Sequence, residues 1–315
     1  MDVTRVASAL LQGAAQVIKG KEEFLEYLIT VLLSGGHVLL EDLPGLGKTT
    51  VAKTLSHLIS DGEGKPLPFK RIQFTPDLLP YDITGVDIFD PDLHSFRFVP
   101  GPIFANLILA DEINRTTPKV QSALLEVMAE QQVTVGSVTR PVPSPFMVIA
   151  TQNPVESEGT FPLPAAQLDR FMMRLSLGYP HRDAELQILD TNPSELVLSH
   201  LEPVITVDEL LQARALVDQV YCHPNLKEAL VDLARATRNH SDIRLGASPR
   251  SALHLLKAVR AYAFIKGRTY VVDEDVITLA PLVLSHRLKM VDPRTEASPL
   301  IRRLAIEHCN KYDYS

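Results

Sequence analysis

The stretch HVLLEDLPGLGKTT (37–50) combines residue types that can hold a phosphate group. An apolar run that favours a strand is followed by a turn with Gly45 and Gly47, and then by Lys48 and Thr49 at the start of a helix-forming segment. The end of the stretch fits the pattern G-x-x-x-x-G-K-[ST], in which backbone N–H groups, a helix N-terminus and a lysine surround phosphates and a hydroxyl reaches a Mg²⁺ ion. The residues expected to contact the nucleotide are Pro44, Gly45, Leu46, Gly47, Lys48, Thr49 and Thr50.

Asp42 departs from this pattern, because it stands where phosphate-binding loops have their first glycine. Aspartate tolerates unusual backbone dihedral angles better than most residues, and its side chain can accept hydrogen bonds from nearby amides. An inward carboxylate would repel a triphosphate, so we expect Asp42 to face away from the phosphates and to bond the backbone of the loop. A chance match and a dinucleotide-binding turn are the alternatives. The second is disfavoured because Thr50 stands where its third glycine would be.

Two acidic residues follow a strongly apolar run downstream. In NLILADEINR, Asp111 and Glu112 end a segment typical of a buried strand, although a solvated strand end has the same pattern. Ligands of parallel sheets bind beyond the carboxyl ends of the strands. We therefore expect Asp111, with Thr49, to hold Mg²⁺ partly through water, and Glu112 to polarise the attacking water as general base. Asn153, after the apolar run FMVIAT, can bond the terminal phosphate or that water.

Two patterns divide the chain into an expected α/β domain over 1–180 and a helical domain over 181–315. In the first, apolar runs alternate with helical segments, which predicts a three-layer domain around a parallel five-stranded sheet, with inserted hairpins near 86–99 and 132–143. The expected strands are HVLLE (37–41), RIQF (71–74), LILADE (107–112), FMVIAT (146–151) and FMMRLSL (171–177). The expected helices of the second domain are 183–189, 207–220, 226–238, 251–265 and 273–284.

Composition narrows the class of protein. The chain of 315 residues is 45% hydrophobic and 22% charged, which is typical of a soluble globular protein, and we expect it in the cytoplasm without a membrane span. Its two cysteines, Cys222 and Cys309, and its scattered histidines lack metal-ligand spacing, which disfavours a disulfide scaffold and a metal centre built from protein ligands alone. A formal net charge of −7 disfavours broad binding of nucleic acid.

The order of these motifs resembles that of AAA+ ATPases, with a phosphate loop, a strand ending in Asp-Glu, a strand ending in Asn, and a helical domain. Several stretches resemble the MoxR family in particular, and the resemblance extends from about Val17 to His286. An aspartate at position 42 is compatible with that family. The stretches are VIKGKEE, EDLPGLGKTTVAK, RIQFTPDLLPYDITG, GPIFANLILADEINR, QSALLEVMAEQQVTV, ATQNPVESEGTFPLPAAQLDRFMMRLSLGYP and GASPRSALHLLKA.

The resemblance assigns further roles around the nucleotide. Val17, Ile18 and Gly20 match the segment that packs against the adenine of ATP. Asn153 matches the position called sensor 1. Gln73 ends the second predicted strand and is the candidate for the polar residue that restrains the general base.

The resemblance also implies two catalytic arginines. Arg170, in LDRF, matches the arginine finger that reaches the terminal phosphate bound by a neighbouring subunit, and Arg174 is its rival when the residues are taken alone. Arg250, in GASPR, matches sensor 2 on the helical lid. A finger supplied by a neighbour completes each site only at a subunit interface. The resemblance therefore implies a homo-oligomeric ring, expected to be a hexamer.

The function implied by the resemblance is Mg²⁺-dependent ATP hydrolysis coupled to remodelling, activation or maturation of partner proteins. The implied partners are a client protein and a protein with a von Willebrand factor A domain. Two alternatives stay open: a nucleotide-gated scaffold with slow hydrolysis, and a motor acting on nucleic acid. The motor is disfavoured because the two hairpins carry few cations, Arg97 and Arg140, on an acidic chain.

Overall fold

The computed structural model describes residues 3–153 and 159–311, with side chains from residue 5 onward. Residues 154–158, which belong to the stretch around Asn153 that carries the family resemblance, lie outside the described residues. Residues 1–2 of the first expected domain and residues 312–315 of the second also lie outside the described residues.

Strands and helices alternate in the first part of the chain, and helices dominate the second. The strands are β1 (Val38–Glu41), β2 (Ile59–Ser60), β3 (Phe69–Gln73), β4 (Gly85–Asp90), β5 (Ser95–Pro100), β6 (Leu107–Asp111), β7 (Gln132–Val135), β8 (Val138–Pro141), β9 (Met147–Gln152), β10 (Met173–Leu175), β11 (Ile205–Thr206), β12 (Ile243–Leu245) and β13 (Lys289–Met290). The helices are α1 (Val3–Val17), α2 (Glu22–Leu33), α3 (Lys48–Leu58), α4 (Pro80–Thr84), α5 (Pro118–Glu130), α6 (Ala165–Leu168), α7 (Arg182–Thr191), α8 (Val207–Gln219), α9 (Pro224–Asn239), α10 (Pro249–Ile265), α11 (Asp273–Leu284) and α12 (Ala297–Cys309).

A parallel five-stranded sheet with the order β10-β1-β9-β6-β3 lies at the centre of the first part. Its strands are the five that the apolar runs predict. Because all five run in the same direction, the loops that follow β1, β6 and β9 meet at one edge. That edge is where the phosphate loop, the Asp-Glu pair and Asn153 were expected to meet.

The two faces of the sheet are both covered. On β1, Val38 and Leu40 pack into a cluster formed with α1, α2, α3 and the helices of the second part, while Leu39 packs into a second cluster with α5. Alternate residues of a strand point to opposite faces, so burial on both faces requires a layer of helices on each side. The predicted three-layer α/β fold is confirmed.

The second part is a helical lid built from α8 to α12. One hydrophobic cluster joins these helices to α1 and α2, so the lid shares a core with the N-terminal helices. Two features of the lid are absent from the sequence prediction, namely α12 and the short antiparallel pair β12–β13. No helix among the described residues is both long enough and apolar enough to cross a membrane.

Two antiparallel hairpins project from the first part, β4–β5 and β7–β8. Arg140 on the second hairpin joins them. Its guanidinium carbon lies 3.9 Å from the centroid of the Phe98 ring, and its Nη2 atom lies 3.7 Å from Oδ1 of Asp87 on the first hairpin. The hairpins are therefore in contact and form one projecting unit.

Candidate active site

The phosphate loop connects β1 to α3 in a conformation that requires glycine at two positions. Gly45 and Gly47 have φ angles of 85° and 86°, in the left-handed region that residues with a Cβ atom rarely adopt. Gly47 is the N-cap of α3, so the N–H groups of the first turn face the space in front of the loop. Lys48 begins the helix, and its Nζ donates a 2.9 Å hydrogen bond to the carbonyl oxygen of Asp42.

The Asp42 side chain faces away from the phosphate loop, as expected, but its partners differ from the expected ones. It is buried, and its carboxylate accepts hydrogen bonds from Ser176 Oγ at 2.8 Å, from the Leu177 N–H at 2.7 Å and from the Gly178 N–H at 3.0 Å. The expectation that it bonds the loop's own backbone is therefore wrong. Asp42 instead ties the loop to the segment that follows β10.

The two candidate acids meet at the end of β6. Asp111 Oδ1 accepts a 2.6 Å hydrogen bond from the Thr151 hydroxyl, and that hydroxyl accepts one of 2.9 Å from the Glu112 N–H. Glu112 has a φ angle of 58°, a left-handed conformation that non-glycine residues adopt rarely and at a cost. The bond from its N–H to Thr151 on the neighbouring strand β9 helps to hold the strained residue in place.

Two residues of β3 contact these acids. Arg71 donates to Asp111 Oδ2 from Nε at 3.0 Å and from Nη2 at 2.6 Å. Gln73 Nε2 donates to Glu112 Oε2 at 2.7 Å, so the contact expected of the residue that restrains the general base is present. Both acids are thus held by side chains of one edge strand.

A cavity of about 290 Å³ lies in front of the loop. Most of the predicted phosphate and metal residues line it, namely Pro44, Gly45, Gly47, Lys48, Thr49, Asp111, Glu112 and Asn153. Gln73 and Arg71 of β3 complete the lining. A hydroxyl and a carboxylate among these residues are the oxygen donors that Mg²⁺ uses together with phosphate and water. The arrangement can therefore hold a phosphate chain between the loop and the Asp-Glu pair.

A larger cavity of about 570 Å³ continues from the first and shares Gly45 and Gly47 with it. Val17, Ile18, Leu46 and Thr50 line it, as do the residues 177–180 and α7. Its lining is largely apolar, which suits a flat base. Together the two cavities have the layout of a nucleotide site.

Gly20 is one predicted nucleotide residue that does not line either cavity. Its φ angle is 63°, and a Cβ atom there would approach the Ala184 Cβ to 2.7 Å and His181 Nε2 to 2.8 Å. The glycine therefore lets the chain after α1 pack closely against the start of α7, behind the wall of the larger cavity.

Two protein-family models match the chain. The model described as "ATPase family associated with various cellular activities (AAA)" matches residues 37–173, and a model described as "AAA lid domain" matches residues 235–303. The first covers the phosphate loop, the Asp-Glu pair and Asn153. The second lies within the helical lid.

Relatives extend the match over most of the chain. Chaperone MoxR1 of Mycobacterium tuberculosis is 41% identical over 285 residues, which span 87% of this chain and 73% of that protein. Protein MoxR of Paracoccus denitrificans is 30% identical over 93% of this chain and 91% of its own length. The chain belongs to the MoxR family of AAA+ ATPases.

A further relative and a solved structure agree with this membership. The uncharacterized protein YeaC of Bacillus subtilis is 46% identical over 87% of this chain and 84% of its own length. The solved crystal structure of a candidate ATPase from Cytophaga hutchinsonii is 36% identical, with a TM-score of 0.86 over 96% of this chain and 94% of that one. Membership in this ATPase family implies that the chain binds a nucleotide.

The arginines that the MoxR resemblance singles out lie away from both cavities of this chain. Arg170 donates a 2.9 Å hydrogen bond from Nη1 to the Leu125 carbonyl of α5, and Arg250 is exposed in the first turn of α10. The rival Arg174 lies on β10 and pairs with Glu41 at 3.0 Å. A single subunit therefore does not bring either predicted arginine to its own phosphate cavity.

Asp169, next to the predicted finger of this MoxR-family protein, connects the sheet to the lid. Its Oδ1 accepts from Arg287 Nε at 3.0 Å, and the hydroxyls of Ser248 and Ser251, at the start of α10, each donate to it at 3.1 Å. Arg287 is almost fully buried. Burial lowers the pKa of Arg287 to about 10, and the Asp169 carboxylate opposes that shift.

Arg71 and Thr151 are site residues that the sequence patterns did not indicate. A signal existed for Arg71, because it precedes Gln73 by two positions on a predicted strand and must share its face. For Thr151 the signal was weaker, because its contact with Asp111 depends on which strands are neighbours.

Proposed function

We propose that this MoxR-family protein hydrolyses ATP with Mg²⁺ and couples turnover to remodelling, activation or maturation of partner proteins. The observation that carries the proposal is the phosphate cavity, in which Lys48, Thr49, Asp111 and Glu112 surround one space that opens onto an apolar base cavity. A binding site alone would need the loop and the lysine only. The additional acid pair and Asn153 supply what hydrolysis requires.

Each residue has a role that its position supports. Lys48 and the amides of the loop would bind the phosphates, Asn153 would orient the terminal phosphate or the water, and Glu112 would accept the proton of the attacking water. Thr49 and Asp111 would hold Mg²⁺, which when bound neutralises phosphate charge. The described residues contain no group of three or more His, Cys, Asp or Glu that could hold a metal ion, so phosphate and water would complete its coordination.

Assembly into a homo-oligomeric ring, which we expect to be a hexamer, is part of the proposal. Arg170 lies outside the cavities of its own subunit, which supports a role at the site of a neighbouring subunit. Arg250 would reach the nucleotide after a movement of the lid. The network of Asp169 with Ser248 and Arg287 would transmit that movement to the segment carrying the finger.

The projecting hairpins are the surface we propose for partner proteins. Ile88, Phe89, Leu93 and Phe96 on the first hairpin are exposed, and Phe96 keeps 73% of its surface accessible. Exposed apolar side chains grouped on one element are typical of protein-binding surfaces. One relative is named a chaperone, which agrees with a protein client. We propose that a von Willebrand factor A domain protein acts as a further partner.

Glu112→Gln tests the catalytic part of the proposal. The amide keeps the shape of the side chain but cannot accept a proton, so we expect nucleotide affinity to stay within about twofold while turnover falls at least about a hundredfold. Phosphate release and the binding of a fluorescent ATP analogue measure the two quantities. Glu126→Gln, an exposed glutamate on α5, is the matched control. Unchanged turnover in Glu112→Gln would show that another group is the base.

Mixed assemblies test the role of Arg170 between subunits. Arg170→Ala and Glu112→Gln are each expected to be inactive alone. When mixed, a subunit with intact Glu112 can receive Arg170 from its neighbour, so part of the activity should return. If no mixing ratio restores turnover, although both variants assemble with each other, the arginine does not act in trans.

A further inference from the structure

Arg71 bonds Asp111, the acid of the site that is expected to hold the metal. On the parallel pair β3–β6, Arg71 is opposite Leu109 and Gln73 is opposite Asp111. Residues two apart on a strand share a face, so both side chains point toward the phosphate cavity, which they line. Arg71 is the second cation of that cavity's lining, beside Lys48.

The contacts of Arg71 occupy one oxygen of Asp111. Oδ2 receives two donors, Nε at 3.0 Å and Nη2 at 2.6 Å, while Oδ1 receives the Thr151 hydroxyl at 2.6 Å. A guanidinium on a carboxylate neutralises its charge and fills its lone pairs. In this arrangement both lone pairs of Oδ2 are taken, so that oxygen cannot bind a cation or its hydration shell while Arg71 stays.

The same arginine also orients the residue that holds Glu112. Arg71 Nη2 donates to Gln73 Oε1 at 2.6 Å, and Gln73 Nε2 donates to Glu112 Oε2 at 2.7 Å. Guanidinium can only donate and carboxylate can only accept, so the glutamine amide fits between them in one orientation alone. The four side chains form a continuous chain of hydrogen bonds from Asp111 to Glu112.

We propose that Arg71 is a positioning residue that occupies one carboxylate oxygen of Asp111 and, through Gln73, links that carboxylate to Glu112. Arg71 has to leave Asp111 Oδ2 before this oxygen can serve a cation. Its departure withdraws Nη2 from Gln73, and the amide loses the partner that fixes its orientation toward Glu112. The general base is then released when the site is loaded. Arg115 Nε, 3.4 Å from Glu112 Oε2, belongs to the turn that follows Glu112 and stays beside it.

The chemistry of Arg71 suits this exchange. Its side chain is 49% exposed, so it can swing toward solvent or toward phosphate oxygens without leaving a buried charge unpaired. Asp111 is 14% exposed and fixed by Thr151, so it keeps its place when the arginine leaves. The part of this inference that concerns Glu112 rests on the proposed function. The part that concerns Asp111 depends only on cation binding and does not require ATP hydrolysis.

Cation affinity tests the first half of the proposal. We expect Arg71→Met to bind Mn²⁺ about two- to fivefold more tightly than the unchanged protein at saturating ADP, which corresponds to loss of a half-exposed ion pair. Titration of free Mn²⁺ by electron paramagnetic resonance measures this affinity. Lys70→Met removes the same charge from the neighbouring position, which faces the other side of β3, and is expected to leave the affinity unchanged. Equal or weaker Mn²⁺ binding by Arg71→Met than by Lys70→Met would overturn the proposal.

Turnover of a double variant tests the link to Glu112. Gln73→Leu and Arg71→Met both release Glu112, so each is expected to raise turnover at saturating Mg²⁺ and ATP. Because both act through one chain of bonds, the double variant should match the larger single effect. Multiplication of the two effects would show that Arg71 and Gln73 act independently. If the wild-type protein hydrolyses no ATP, the proposed function fails. The Mn²⁺ titration would still show whether Arg71 competes with a cation for Asp111.

Discussion

At the scale of single residues, Asp42 replaces the flexible glycine of the motif with a side chain that makes specific hydrogen bonds. A glycine there would only let the strand turn into the loop. Asp42 also makes that turn, and its buried carboxylate bonds Ser176, Leu177 and Gly178. Leu177 and Gly178 line the base cavity, so one side chain connects the phosphate loop to the wall of that cavity.

Replacing Asp42 by the glycine of the standard motif is expected to weaken the fold. Two backbone N–H groups, of Leu177 and Gly178, would lose a buried acceptor, which costs about 1–3 kcal/mol for each group. We expect Asp42→Gly to lower the free energy of unfolding by roughly 3 kcal/mol and Asp42→Asn by less, since its amide oxygen still accepts. Urea denaturation measures both.

Asp61→Gly is the comparison for this prediction. Asp61 also accepts from backbone N–H groups, those of Glu63 and Lys65, but these are exposed and water can replace the carboxylate. Its loss should stay near 1 kcal/mol or below. Equal losses in Asp42→Gly and Asp61→Gly would mean that the buried bonds of Asp42 contribute little. The hydrogen bond of Lys48 uses the main-chain carbonyl of residue 42 and survives every one of these changes.

At the residue level, the order of the motifs was enough to predict which side chains lie near one another. Lys48, Asp111, Glu112 and Asn153 lie around one cavity, because each lies at or beyond the carboxyl end of a strand of one parallel sheet. Contacts that depend on which strands are neighbours could not be predicted from the sequence. The bonds of Thr151 to Asp111 require β9 to lie beside β6, and no local pattern states this order.

At the scale of elements, the junction between the sheet and the lid rests on a buried ion pair. Arg287, which follows α11, reaches Asp169, which follows α6, and also donates to the carbonyl of Phe171 at 2.6 Å. The hydroxyls of Ser248 and Ser251 bring the start of α10 to the same carboxylate. Two segments of the lid therefore converge on Asp169.

Asp169→Asn is expected to destabilise this junction strongly. Arg287 keeps only 4% of its surface exposed, and the variant would leave its charge without a counter-ion. Breaking a buried pair by removing one partner costs about 3–5 kcal/mol. Thermal or urea unfolding measures the loss. Asp292→Asn, in an exposed pair with Arg294, should change stability by less than about 0.5 kcal/mol.

A double-mutant cycle of Asp169 and Arg287 separates the ion pair from other effects of each change. We expect Arg287→Met to offset part of the cost of Asp169→Asn, with a coupling of at least about 1 kcal/mol. Additive losses would show that the two side chains stabilise the junction independently.

Most of the strands and helices could be predicted from the sequence. The five sheet strands agree with the predicted runs, because strands buried on both faces are continuously apolar. Helix α12 was missed, although its buried residues Ile301, Leu304, Ala305 and Cys309 follow helical spacing. The strand order and the shared core of α1 and α2 with the lid depend on contacts distant in sequence, which periodicity does not encode.

At the scale of the whole molecule, two buried histidines, His37 and His286, and the partly buried His254 lie around the region where the sheet meets the lid. His37 accepts from the Val148 N–H and contacts the Met128 carbonyl, and His286 contacts the Phe171 carbonyl. Burial lowers the pKa of His37 to about 4, and it lowers the pKa of His286 well below 6.5. Burial, with help from Arg287, also lowers the pKa of His254 to about 3. All three are neutral in the folded protein near neutral pH.

These shifts predict a stability that falls on acidification. The unfolded chain binds a proton at each histidine near pH 6.5, whereas the folded protein does so only at lower pH. Below about pH 6.5 the unfolded state therefore holds more protons, and each such histidine reduces the free energy of unfolding by up to about 1.4 kcal/mol per pH unit. The decrease continues toward about pH 4 for His37 and is absent above about pH 7.

His286→Gln isolates the contribution of one histidine to this slope. Glutamine can keep a donor near the Phe171 carbonyl but binds no proton, so the slope between pH 6.5 and 5 should become shallower by about 1 kcal/mol per pH unit. Urea unfolding at a series of pH values measures the slope, even if the variant is less stable throughout. His200→Gln, at an exposed histidine, should leave the slope as it is. A slope in His286→Gln as steep as in the unchanged protein would mean that His286 takes up its proton in the folded state, and the acid sensitivity would then originate elsewhere in the molecule.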